Sequence, residues 1–119
     1  MYLPAHFKMN DTAEIRTFVM AHPFGALLTN GKQVPQVTHL PMQLMTDDAG
    51  NDLINLHLSK ANPHAKGLEN GESAVAVFLG TNGYISPRWY AAKDNVPTWN
   101  YTAVHAILER CGKSKTRKN

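Results

Sequence analysis

The chain has 119 residues, 43% of them hydrophobic and 18% charged, which fits one globular domain and excludes a disordered polypeptide. No apolar run approaches the roughly 20 residues of a membrane-crossing helix, and the N-terminal MYLPAHFKMND lacks the basic and apolar regions of a secretory signal, so a cytoplasmic location is expected. A single cysteine, Cys111, excludes an internal disulfide framework, and no base or metal partner lies near it in sequence.

In chain order, Asp11-Thr-Ala-Glu14 has the form of a capping box, and Ile15, Phe18, Val19 and His22 then recur at one helical stripe until Pro23 stops it. His22 reads as a packed helix-end residue. Phe24–Thr29 is a short apolar strand, and Asn30-Gly31 predicts a tight hairpin. Over Val34–Met45, Thr38, Leu40, Met42 and Leu44 share one face while Val37, His39 and Gln43 share the other. The acidic DDAGND segment, residues 47–52, is a turn. Leu53–Ser59 alternates next, with Ile54, Leu56 and Leu58 opposite Asn55, His57 and Ser59. Asn62-Pro63 opens a short helix that Asn70-Gly71 closes. Ala74–Leu79 is apolar on both faces, as a buried strand would be. Short strands, tight turns and little helix predict a mainly β domain, a small antiparallel barrel over residues 1–109. Residues 110–119 form a basic tail, expected to be disordered. It holds Arg110, Lys113, Lys115, Arg117 and Lys118, and it turns a body of net charge −2 into a chain of +3. A solvated end is the plain reading of that tail, and nucleic-acid contact the sharper one.

Chemistry concentrates in NLHLSKANPH, residues 55–64. The polar face of its strand delivers His57 and Ser59, and Lys60 follows where the chain turns into a helix. A hydroxyl and an ammonium beside a helix start form a plausible phosphate cradle, although an ordinary turn with a solvated lysine gives the same pattern. His39, also opposite the leucines, would share a polar surface with His57 if the two strands are neighbours. Six histidines without HxxH, HxxxH or HExxH spacing do not predict a metal site. No GxSxG, Cys–His arrangement or P-loop is present, so no self-sufficient catalytic machinery is expected. ISPRWYAAKDNVPTWNY, residues 85–101, sets Trp89, Tyr90, Trp99 and Tyr101 on a segment stiffened by Pro87 and Pro97. Such aromatics suit an interface or the wall of a flat-ligand pocket, or cap a core.

Taken together, MYLPAHF, HPFGALLT, THLP, HLSKANPH, VFLG, YISPRWY and VPTWNYTAVH resemble, colinearly from residue 1 to about 105, the PaiB-type FMN-binding negative transcriptional regulators. The resemblance implies an FMN-binding split barrel of the pyridoxamine-phosphate-oxidase type, with the cofactor in a groove at a homodimer interface. By motif position it implies FMN contacts from Thr38, His39, Leu40, His57, Ser59, Lys60 and Asn62, with Lys60 serving the phosphate. It implies that Trp89, Tyr90 and Trp99 line the interface or the ring system. Two features depart from the family. Ser59-Lys60 stands where Ala-Arg is common, which keeps the charge but loses the bidentate fork. Family members also continue well beyond this length, so an incomplete barrel with exposed edges is expected. Three functions stay open: a regulator acting through flavin or a metabolite, a flavin-dependent oxidoreductase on a small molecule, and a non-functional fragment. Direct DNA binding has no helix-turn-helix behind it.

Overall fold

The computed structural model describes residues 1, 3, 5, 8, 11–86, 88 and 97–109. The elements run α1 (Thr12–Ala21), β1 (Phe24–Thr29), β2 (Gln36–Pro41), β3 (Gln43–Thr46), β4 (Asp52–Asn55), α2 (Pro63–Glu69), β5 (Ala74–Ile85) and β6 (Thr98–Leu108). Among the described residues the architecture is mainly antiparallel β with two short helices. One sheet has the order β2-β1-β5-β6, and β3 and β4 form a separate hairpin.

Local chemistry explains both helices. Asp11 Oδ1 accepts from the Ala13 N–H at 2.9 Å to start α1. The helix turns Val19 fully inward and leaves Ile15, Phe18 and His22 half-buried. His22 packs as the sequence suggests, with its ring stacked on Phe18 at 4.7 Å and Nδ1 lying 3.1 Å from the Phe18 carbonyl. Asn62 Oδ1 caps α2 through the His64 N–H at 2.9 Å, with Pro63 in the first turn. Gly71 follows at φ +82°, the left-handed conformation that glycine adopts without strain.

The strands depart from expectation at several places: β5 runs on to Ile85, past the expected end at Leu79, and β6 is a further strand that begins at Thr98 inside the aromatic stretch. Asn30-Gly31 does not form a two-residue turn: β1 and β2 are joined by residues 30–35, and neither residue has the positive φ that such a turn needs. Gly31 is instead a close-approach glycine, since a Cβ there would lie 2.0 Å from the Val34 carbonyl oxygen. The long strand expected from Val34 breaks at Met42, whose N–H turns back to the Pro23 carbonyl at 2.8 Å. The strand expected to reach Ser59 stops pairing at Asn55. Pro41 has no N–H, and that of Met42 is already used, so residues 56–58 find no ladder there. Their alternation survives without hydrogen bonds: Leu56 and Leu58 are half-buried against the core, while His57 and Ser59 are exposed.

The core lies on the inner face of the sheet. Leu27, Leu40, Ala74, Ala76 and Phe78 meet Val19 from α1, Leu68 from α2 and Met42. Gly25 lets β1 and β5 close over Met42, because a Cβ there would lie 2.3 Å from the Val77 carbonyl oxygen and 2.8 Å from Met42 Cε. Arg16 anchors α1 to the hairpin through an ion pair with Asp52 and a 2.8 Å hydrogen bond to Thr46 Oγ1.

The outer face of the same sheet is also apolar. Register places Val37, Leu28, Val75 and Ile107 in one row across the four strands, and His39, Ala26, Val77 and His105 in the next. Phe24 and Leu79 extend this face. Val37, Ile107, Phe24 and Leu79 are 51%, 76%, 65% and 54% exposed, and none of these residues is charged. The register slips between Leu79 and Asn82, a bulge that lets Asn82 and Tyr84 replace odd-numbered residues as the outward side chains of β5.

Candidate functional site

The edge strand β2, the Ser59–Asn62 turn and the start of α2 enclose a groove of about 250 Å3 lined by Gln36, Val37, Thr38, Asn62, Pro63 and His64. The turn is closed by the Asn62 N–H donating to the Ser59 carbonyl at 3.0 Å, and Ser59 Oγ accepts from the Ala61 N–H at 3.2 Å. Lys60 sits in this turn, exposed.

Behind the groove lies a polar relay. His64 is 2% exposed. Its Nε2 is 2.7 Å from Thr29 Oγ1 and its Nδ1 is 2.8 Å from Thr38 Oγ1. Asn62 Nδ2 donates to Thr38 Oγ1 at 3.2 Å, and Thr29 Oγ1 donates to Gln36 Oε1 at 3.4 Å. Burial pushes the His64 imidazole below its ordinary pKa, with Glu72 pulling weakly the other way. A neutral imidazole supplies one donor and one acceptor, which is what two hydroxyl neighbours can satisfy. Among the described residues no buried side-chain polar atom is left without a partner.

The fold brings together only some of the residues singled out by sequence. Thr38 and Asn62 meet in the groove, and Lys60 stands in its turn. Leu40 is buried in the core, so only its backbone could reach a ligand. His39 projects from the opposite face of β2 and stacks on Phe24 at 6.5 Å. His57 and Ser59 are exposed beside the turn, and no ladder joins their segment to β2 among the described residues. Trp99 lies on the outer face, 62% exposed and tilted against Tyr84 at 5.7 Å. Trp89 and Tyr90 lie outside the described residues. The helix start is not a free anion cradle, because Pro63 has no N–H, that of His64 is capped by Asn62, and that of Ala65 goes to the Asn62 carbonyl at 2.9 Å. Any phosphate here must be held by side chains and the turn.

His64, Thr29 and Gln36 did not stand out in the sequence. No periodicity marks them, because Thr29 and His64 are 35 positions apart. The one available signal was the position of His64 inside NLHLSKANPH.

The chain matches, over residues 1–109, the family FMN_bind_2, described as "Putative FMN-binding domain". FMN is therefore the ligand to test against the groove. Its lining offers the amides of Asn62 and Gln36 and the hydroxyl of Thr38, and the adjoining turn adds the Lys60 cation and the Ser59 hydroxyl, a set that suits a phosphorylated, hydroxyl-bearing molecule. Its volume of about 250 Å3 falls below the roughly 300–1,000 Å3 of a self-sufficient small-molecule pocket. Among curated proteins, the chain is 39% identical to protease synthase and sporulation protein PAI 2 of Bacillus subtilis, over 88% of its own length and 50% of that protein's. It is 29% identical to the uncharacterized protein YKL070W of Saccharomyces cerevisiae, over 88% of its length and 75% of that protein's. A third relative, an uncharacterized protein of Aspergillus fumigatus, is 30% identical, over 89% of this chain and 54% of its own length. The chain thus spans about half of the Bacillus and Aspergillus proteins.

Proposed function

Because this chain belongs to the FMN_bind_2 family of FMN-binding domains, we propose that the groove at β2 holds the phosphate and ribityl end of FMN, in a homodimeric regulator of the PaiB type. The observation that carries this reading is the continuity of two surfaces at Val37. That residue lines the groove and also begins an uncharged outer row running through Leu28 and Val75 to Ile107. Contiguous apolar surface of this kind marks an interface. A second copy covering it would complete a groove that is too small alone. Trp99 then faces the dimer boundary.

Within the groove Lys60 supplies charge to the phosphate, Ser59 and Thr38 address oxygens, and Asn62 fixes the position of the turn. His39 and His57, outside the groove itself, stand toward the ring side. When bound, FMN supplies two-electron redox chemistry. The protein's own groups favour holding over proton transfer: among the described residues the one buried imidazole, His64, already engages both ring nitrogens. This supports regulation through flavin over an oxidoreductase. DNA contact falls to the basic residues 110–119, since the rest of the chain is net acidic, and the setting is the cytoplasm.

Purified protein is expected to be yellow and to release FMN on denaturation. Lys60→Ala should weaken FMN binding by about ten-fold, the scale of one charge-assisted contact. Colourless protein that also fails to bind added FMN would sink the cofactor reading, and steady NADPH oxidation by the loaded protein would favour the enzyme instead. A gel shift that disappears when residues 110–119 are removed is the expected sign of tail-borne DNA contact.

A further inference from the structure

The relay behind the groove has one polarity, and it assigns a role to His64, a residue that is not itself one of the family's expected contacts. The backbone N–H of His64 can only donate, so Asn62 must turn Oδ1 toward it and Nδ2 toward Thr38. Thr38 Oγ1 is therefore an acceptor from Asn62. At the other end the Gln36 carboxamide turns Oε1 toward Thr29 and takes its hydroxyl proton, and with that orientation Thr29 accepts from His64 Nε2–H. A neutral ring protonated at Nε2 has a bare Nδ1, which takes the hydroxyl proton of Thr38. Every proton then has one place: Asn62 to Thr38, Thr38 to His64, His64 to Thr29, and Thr29 to Gln36.

We infer that His64 is a positioning residue for the cofactor: it consumes the Thr38 hydroxyl proton, so that Thr38 and Asn62 are held as one oriented pair at the mouth of the groove. This rests on the FMN reading above. With Nδ1 bare, Thr38 shows the groove a lone pair and Asn62 shows it the second N–H of its carboxamide. The pair is therefore built to accept from a ribityl hydroxyl while donating to a neighbouring oxygen. Removing the bare nitrogen frees the Thr38 rotor and unpins the carboxamide, although neither residue is itself changed.

Two conservative variants separate this role from simple packing. Asparagine places its amide atoms where Nδ1 sits and keeps the link to Thr38. Glutamine places them where Nε2 sits and keeps only the link to Thr29. Both lose one buried hydrogen bond and should lower the urea midpoint alike. In a fluorescence titration with FMN, His64→Asn is expected to stay within about three-fold of the unaltered chain, whereas His64→Gln weakens binding by about ten-fold or more. Equal losses in the two variants, tracking their stability, would overturn the inference. If the unaltered chain binds FMN but His64→Gln binds as tightly, the positioning role falls alone. If the unaltered chain takes up no FMN, the underlying reading falls and takes this one with it. A measurement on the unaltered chain needs no variant to fold: 15N spectra of the imidazole should show the Nε2–H tautomer, with Nδ1 moving on addition of FMN. An Nδ1–H tautomer, or an Nδ1 resonance indifferent to FMN, refutes it.

Discussion

The two edges of the four-stranded sheet are finished in opposite ways. At the β2 edge, α2 and the Ser59–Asn62 turn lie against the strand, and a relay of side chains from three segments is sealed behind the groove. At the β6 edge, the eleven-residue strand has β5 as its one neighbour among the described residues, and Trp99, Tyr101 and Ile107 stand in solvent. The first edge spends polar groups on specificity, since each buried donor must have its acceptor and a misplaced segment would strand several of them. The second offers non-directional apolar area, which suits association but names no single geometry. A ligand needs the former and a subunit contact can begin with the latter.

Substitutions should separate the edges sharply. His64→Ala is expected to have the largest effect. It leaves the Thr29 and Thr38 hydroxyls short of a buried partner and opens a hole, for a loss of roughly 3 kcal/mol read from urea denaturation. A loss below about 1 kcal/mol would mean that the relay is not sealed. Acid is the milder attack on the same edge. The folded chain holds His64 below its ordinary pKa, so under acid the unfolded chain takes up a proton that the folded one refuses. Stability should therefore be flat above about pH 6.5 and fall below it, by at most about 1.4 kcal/mol per pH unit, until the depressed folded pKa is reached. His64→Asn and His64→Gln should remove that slope. Ile107→Lys, on the open edge, should change the stability of the single chain by no more than about 0.5 kcal/mol. It should nonetheless shift sedimentation from dimer to monomer. If it unfolds the chain instead, the outer face is part of the core and the contrast between the edges disappears.

What could be read from the sequence follows the range of the forces involved. Both helices were legible because their caps, Asp11 and Asn62, act within two residues of themselves. The alternation of Thr38, Leu40 and Met42 against Val37 and His39 was legible because a strand's faces repeat every two positions, and the structure keeps it across the break at Met42. The break itself was not legible, since it depends on Met42 finding the Pro23 carbonyl. Asn30-Gly31 misled because the glycine's freedom serves a close approach to Val34 and not a positive φ. At the site, Thr38, Asn62 and the Lys60 turn could be found from local motifs. The His64–Thr29 bond could not, since its members meet only after β1, β2 and α2 have assembled.

The bulge between Leu79 and Asn82 makes chain length itself a carrier of information. Along β6 the outward side chains run without interruption through Trp99, Tyr101, Ala103, His105 and Ile107, whereas β5 changes step once, inside the Gly80-Thr81 stretch. That single supernumerary residue is a phase shifter: it lets a strand whose odd positions face out beside the core present even positions at its far end. Pairing the same residues without the bulge would set Thr81 opposite Tyr101 and Gly83 opposite Trp99, turning Thr81, Gly83 and Ile85 outward in place of Asn82 and Tyr84.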